Sequence, residues 1–158
     1  MRTTLSIIFF FFFCTAYTQP PLKSRQIDSI VLRINTSNLP VLADTLVQND
    51  PEMGFKMTTF TTVIIQEGKL LKYVNLVNRS MKIDGGTKQI TSSNAFYYED
   101  NKLIKIEEYF IENNKKKTAD WYYADEKPLY HTVQSAKAAD RAVQLLMISN
   151  GIKQQVIK

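Results

Sequence analysis

The chain has 158 residues, a formal net charge of +5, a single cysteine and a single histidine. That length suits one domain of ordinary size, large enough to bury a core without covalent staples. One cysteine excludes an internal disulfide framework, and one histidine with one cysteine argues against a zinc site or a Cys–His catalytic pair.

The first element expected is an export leader over residues 1–18. Arg2 is followed by an apolar run through Phe9–Phe13 and then by Cys14, Thr15, Ala16, Tyr17 and Thr18, the order of charge, apolar core and small residues that signal peptides use. About ten apolar residues are too few to cross a bilayer, which takes about 20. Cleavage after Ala16 or after Thr18 satisfies the small-residue rule. Acylation at Cys14 is disfavoured because bulky Phe13 precedes it. Cleavage predicts a secreted or periplasmic protein with no membrane anchor and no thiol. Loss of Arg2 takes the net charge from +5 to +4, a mild excess that suits anionic envelopes or polysaccharides rather than nucleic acid.

A helix is expected over 24–34, capped by Ser24, with Ile27, Ile30, Val31 and Ile34 on one face. Pro40 opens a second helix expected over 40–48, with Leu39, Leu42, Ala43, Leu46 and Val47 on one side. From Phe55 the texture changes to Thr, Val, Ile, Tyr and Phe broken by polar turns, which predicts strands near 55–66, 69–79, 88–99, 102–112, 115–124 and 127–133. The turns fall at Glu67-Gly68, Asp84-Gly85-Gly86, Asp100-Asn101, Asn113-Asn114 and Asp125-Glu126. A last helix is expected over 135–150, capped by Ser135, with Ala139, Val143, Leu146 and Met147 inward and Gly151 as its stop. The fold class is α+β: an antiparallel meander of about six strands with the helices packed on one face.

Three hairpins share a local text: Ile64–Lys72, Tyr97–Lys105 and, more loosely, Tyr122–Leu129. Each has two bulky residues, a polar turn and a lysine. Over about residues 96–130 this resembles the MORN-variant hairpin repeats of exported bacterial proteins, which read roughly Tyr-Tyr-x-Asn-Gly-Lys-Leu. Here Asn101 stands where those repeats carry glycine. The resemblance implies a β-hairpin array with a binding or interaction role and no catalysis.

Two-residue turns would pair Tyr98 with Leu103, Tyr97 with Ile104, Ile106 with Trp121 and Glu107 with Asp120. One face then collects Tyr97, Ile104, Ile106, Phe110, Trp121, Tyr123 and Tyr130 under the helices. The other carries Phe96, Tyr98, Lys105, Glu107, Tyr109, Asp120, Tyr122 and His131 to solvent. Tyr98, Tyr109 and Tyr122 are the candidate binding residues, because aromatic rings supply contact area at small entropic cost. Phe96 and Trp121 conflict: the repeat makes them equivalent, yet this register sends them to opposite faces, and a bulge or a three-residue turn around Asn113-Asn114 would reconcile them and move Asp120 off the cluster.

The leading expectation is a non-catalytic binding module for a protein, peptide or glycan in the envelope or outside the cell, with no cofactor and no metal. The rival is a hydrolase using Glu107, Asp120 and His131 as an acid/base cluster. A third reading is a carrier that cups an apolar ligand in a curved sheet. Lys115, Lys116 and Lys117 form a solvated hairpin tip or grip a polyanion. Asn35-Thr36-Ser37 and Asn78-Arg79-Ser80 match the N-glycosylation acceptor. No glycine-rich nucleotide loop, Gly-x-Ser-x-Gly or His-Glu-x-x-His motif occurs.

Overall fold

The computed structural model describes residues 21–83 and 85–157; the expected leader, with Cys14, lies outside the described residues, as does Asp84. A helix, α1 (Leu22–Thr36), precedes seven strands: β1 (Val41–Asp50), β2 (Phe55–Gln66), β3 (Lys69–Ile83), β4 (Gly86–Glu99), β5 (Lys102–Glu112), β6 (Lys115–Ala124) and β7 (Lys127–His131). A second helix, α2 (Ala138–Val156), ends the chain. The strands form one antiparallel sheet in sequence order, β1 to β7. The α+β meander is as expected, with one strand more. Among the described residues no helix is long and apolar enough to cross a membrane.

The extra strand replaces the helix expected over 40–48. Leu39, Leu42, Leu46 and Val47 fit a helical face, but a helix there would need apolar surface to bury them. The segment instead pairs with β2 residue by residue, from Val41 opposite Ile64 to Asp50 opposite Phe55. Its β-branched Val41, Thr45 and Val47 suit that backbone. Every residue from Val41 to Asn49 remains exposed, so backbone pairing rather than burial holds β1.

Four hairpin turns hold both central residues in the left-handed region: Glu67 and Gly68, Asp100 and Asn101, Asn113 and Asn114, Asp125 and Glu126, with φ from 49° to 73°. Turns of this hand match the twist of the flanking strands. Asn and Asp tolerate the conformation; Glu67 and Glu126 hold it without that help.

Each hairpin of the repeated text also carries a bulge at the same offset. Ile64 pairs with Lys72 and Ile65 with Leu70, so Leu71 is extra. Tyr97 pairs with Lys105 and Tyr98 with Leu103, so Ile104 is extra. Tyr122 pairs with Tyr130 and Tyr123 with Pro128, so Leu129 is extra. The expected Tyr98–Leu103, Ile106–Trp121 and Glu107–Asp120 pairs form, whereas Tyr97 meets Lys105 instead of Ile104. This bulge, and not an irregularity around Asn113-Asn114, where β5 and β6 pair without a shift up to Glu112 and Lys115, brings Phe96 and Trp121 to the same face and leaves Asp120 opposite Glu107.

The helices lie on opposite faces of the sheet, not on one. Ile27, Val31 and Ile34 of α1 pack on Tyr97, Ile104 and Tyr122. Ala138, Ala142, Leu145 and Ile152 of α2 pack on Leu70, Phe96, Tyr98, Leu103, Ile106, Trp121 and Tyr123. The bulged half of the sheet is therefore the middle of three layers, and among the described residues the other half carries no helix.

The helix ends differ from expectation too. α1 begins at Leu22 after Pro21, and Ser24 sits inside it, fully buried, donating its hydroxyl to the Pro21 carbonyl at 2.7 Å. Ser135 accepts the Lys137 amide at 3.2 Å but does not cap α2, which begins at Ala138. α2 runs through Gly151 to Val156. A glycine costs about 1 kcal/mol inside a helix, and burial of Ile152 with packing of Val156 against the core offsets it. Val143 and Met147, expected inward, are exposed; the buried face is Ala138, Ala142, Leu145, Ser149 and Ile152.

Candidate functional site

Helices on both faces change the status of the singled-out tyrosines. Tyr98 lies wholly under α2, where it accepts the Ser149 hydroxyl at 3.1 Å. Burial pushes its phenol up to about 12. Tyr122 is buried under α1, donates to both Asp28 carboxylate oxygens at 3.0 and 3.2 Å, and is pushed up to about 12, again chiefly by burial. Neither offers a ring to a ligand, and they face opposite ways. Of the three, Tyr109 alone reaches solvent, with Lys116 Nζ 5.2 Å from its ring centre.

The acid/base cluster does not assemble. Glu107 and Asp120 are cross-strand neighbours on the α1 face, but His131 pairs with Trp121 and lies on the α2 face, its ring 5.4 Å from the indole. Its Nδ1 is buried with no hydrogen-bond partner among the described residues. No group of three metal-ligating side chains occurs among the described residues. Beneath α2 the layer against the sheet is filled by Phe96, Tyr98, Trp121 and Leu145.

What gathers around Glu107 is a bonded network. Lys105, its side chain 8% exposed, pairs with Asp28 Oδ1 and Glu107 Oε1, both at 2.9 Å. The bulge makes this possible, because Ile104 and Lys105 both turn towards α1. Burial works to lower the Lys105 pKa, yet the two ion pairs outweigh it and raise it. Tyr97 donates to Glu107 Oε2 at 2.9 Å and accepts from Asn35 at 3.3 Å. Asn35 accepts the Lys72 ammonium at 2.7 Å, so a glycan on Asn35 would break two bonds that dock α1. The groups are spent on one another, which is how a buried ionic network holds a helix.

Asp120 is the strained member. Burial raises its pKa, Lys105 opposes that, and Glu107 and Asp28 add to it. The folded state thus holds the proton more tightly than the unfolded chain. That contribution is present in acid and lost as the pH rises through the folded pKa. Asp120→Asn should therefore stabilise the fold at pH 7, by roughly 2 °C in Tm once solvent screening is allowed for, with no gain at pH 3. Thermal melts at the two pH values check it.

On the other face Glu108 is the hub. Its carboxylate accepts Trp121 Nε1 at 2.7 Å and Arg141 Nη2 at 2.5 Å; Asn94, with its amide nitrogen turned to the acceptor, adds a bond at 3.0 Å. Beside this hub runs an open groove of about 530 Å³. Phe110, Ala119 and Val133 give it apolar surface, and Ser92, Asn94, Thr118, Lys117 and Arg141 give it polar surface. Arg141 is 41% exposed despite its ion pair, and Lys117 has no ion-pair partner among the described residues. The sequence reading missed this groove because Arg141 lies about 30 residues from the strands it meets. Of the residues singled out for binding in the sequence, Tyr109 and Lys117 line it.

No family model, curated protein or solved structure matches the chain.

Proposed function

We propose that this chain is an exported, non-catalytic binding domain whose groove beside α2 takes an acidic glycan. The observation that carries the reading is the makeup of that groove: apolar surface from Phe110, hydroxyl and amide groups, and two cations, Lys117 and Arg141, beside the single acid Glu108, which Arg141 pairs. Aromatic rings take sugar faces, side-chain amides and hydroxyls take sugar hydroxyls, and a guanidinium takes a carboxylate. Glu108 holds Arg141 in place, so little side-chain entropy is lost on binding.

Three further features support the reading. The net charge is positive, the leader text over residues 1–18 directs the chain to a compartment where anionic polysaccharides occur, and the titratable groups around Glu107 are bonded to each other. The likeness of Tyr97–Lys105 to MORN-variant hairpins points the same way, since it implies interaction without catalysis.

Titration with a uronate oligosaccharide and with its neutral counterpart, followed by calorimetry at low and moderate salt, tests it. The acidic sugar should bind and the neutral one should not. Lys117→Ala should weaken binding about five- to tenfold, the scale of one charge-assisted contact, and Phe110→Ala should weaken it similarly while both variants melt like the parent. Equal binding of the neutral sugar, binding of acidic peptides in preference to sugars, or indifference to both substitutions would overturn the proposal.

A further inference from the structure

β1 is an edge strand of ten residues whose outer side meets no other strand among the described residues. Edge strands in soluble proteins are usually short or guarded by lysine, proline or a bulge. β1 contains no lysine, arginine or proline, and its pairing with β2 runs without a register shift. It exposes Val41 at 54%, Leu42 at 62%, Leu46 at 55% and Val47 at 55%. Val41 and Val47 lie on the α1 face of the sheet, Leu42 and Leu46 on the α2 face.

The order of these residues says what fits against them. Val41-Leu42-Ala43-Asp44-Thr45-Leu46-Val47 reads almost the same in both directions about Asp44. Two antiparallel copies centred on Asp44 would set Val41 opposite Val47, Leu42 opposite Leu46, and small Ala43 opposite small Thr45. Each apolar side chain then meets its like on the same face, on both faces at once. Past the centre, Pro40 would meet Gln48 and Asn38 would meet Asp50, with no charge repulsion.

We propose that β1 is a self-complementary edge through which two copies of this chain join, in a two-fold antiparallel pair centred on Asp44, into one continuous fourteen-stranded sheet. The contact is isologous, so it closes at a dimer and leaves β7, the other edge, unchanged. Asp44 is the brake on it. At the two-fold the two carboxylates face each other, and like charges directly opposite across strands oppose pairing. On β2 the neighbouring Thr59, Thr61 and Val63 bring no charge to relieve them. Within the monomer Asp44 Oδ1 accepts the Thr45 amide at 2.8 Å, a bond that asparagine can keep. The groove beside α2 takes no part, so this proposal and the glycan reading stand or fall separately.

Sedimentation equilibrium of the full chain in a Cys14→Ser background tests the pairing. A reversible, concentration-dependent dimer is expected. Asp44→Asn should tighten it about two- to fivefold, and Leu46→Lys should weaken it at least tenfold, with circular dichroism and melting unchanged because both positions are exposed. The register is read with single thiols under mild oxidant. Asp44→Cys should cross-link to itself, because directly opposed residues lie within disulfide reach; Thr45→Cys should not, because its copy lies two residues away along the strand. A chain that stays monomeric at millimolar concentration, a dimer indifferent to Leu46→Lys, or equal cross-linking at both positions overturns the proposal.

Discussion

Tyr98→Ala should cost about 3–5 kcal/mol of folding stability, the range for emptying a buried aromatic site, and lower Tm by roughly 10–20 °C. The ring is fully buried, within the layer formed by Phe96, Leu103, Trp121 and Leu145. Removing it opens a cavity that the helix cannot close without losing its other contacts. Tyr98→Phe isolates the hydroxyl. The Ser149 hydroxyl would lose its acceptor inside the core, and a cost of about 1 kcal/mol is expected. Tyr109→Ala, at a partly exposed position, should move Tm far less. Urea denaturation of the three variants checks the order. If Tyr98→Ala were as mild as Tyr109→Ala, α2 would not be packed over this hairpin. Loss of partner binding in Tyr98→Ala or Tyr122→Ala would report unfolding and not a contact surface.

Much of the fold was legible because the strands and turns are specified locally. Asp100-Asn101 and Asn113-Asn114 need no tertiary context to form left-handed turns, and β2, β5 and β6 begin and end where their turn residues require. The end of α2 was not legible from Gly151, because what carries the helix onward is the burial of Ile152, a long-range contact. β1 escaped for the same kind of reason. Its spacing suits a helix as well as a strand, and the decision came from the neighbouring β2 edge.

The face assignment failed at two identifiable points. Alternation along a strand is a reliable guide only while the register holds, and a single extra residue reverses it. Ile104 is such a residue between β4 and β5, and Leu129, between β6 and β7, is what carries His131 to the α2 face. The clue that both faces are covered was present in Trp121-Tyr122-Tyr123, a continuous run of large side chains, which suits a strand buried on two sides. All three are buried. The repeated hairpin text thus encodes the bulge and the double burial together: Tyr97 and Tyr122 go to α1, Tyr98 and Tyr123 to α2. The groove beside Arg141 lies in a different category, since no local pattern announces that a residue of α2 will sit over Glu108.

Lys105→Met should be the most damaging change of a charged residue on the α1 side. Methionine keeps much of the stem's bulk, so the effect reads the charge. The ammonium lies between Asp28 and Glu107 and 5.0 Å from the Tyr122 ring centre; without it, Asp28, Glu107 and Asp120 form a carboxylate cluster that has lost its central cation. Breaking a fully buried pair costs about 3–5 kcal/mol. Asp28 and Glu107 are 48% and 38% exposed and keep their tyrosine donors, so about 2–3 kcal/mol is expected after screening, or roughly 6–12 °C in Tm. Two signatures separate charge from packing. Adding Asp28→Asn and Glu107→Gln to Lys105→Met should restore most of the loss. The single variant should also gain stability relative to the parent as the pH falls through the carboxylate range, because protonation removes the repulsion that the lysine had cancelled. Urea titrations at pH 7 and pH 4 read both. A triple variant no more stable than Lys105→Met, with no convergence in acid, would mean that the side chain holds α1 by its stem alone.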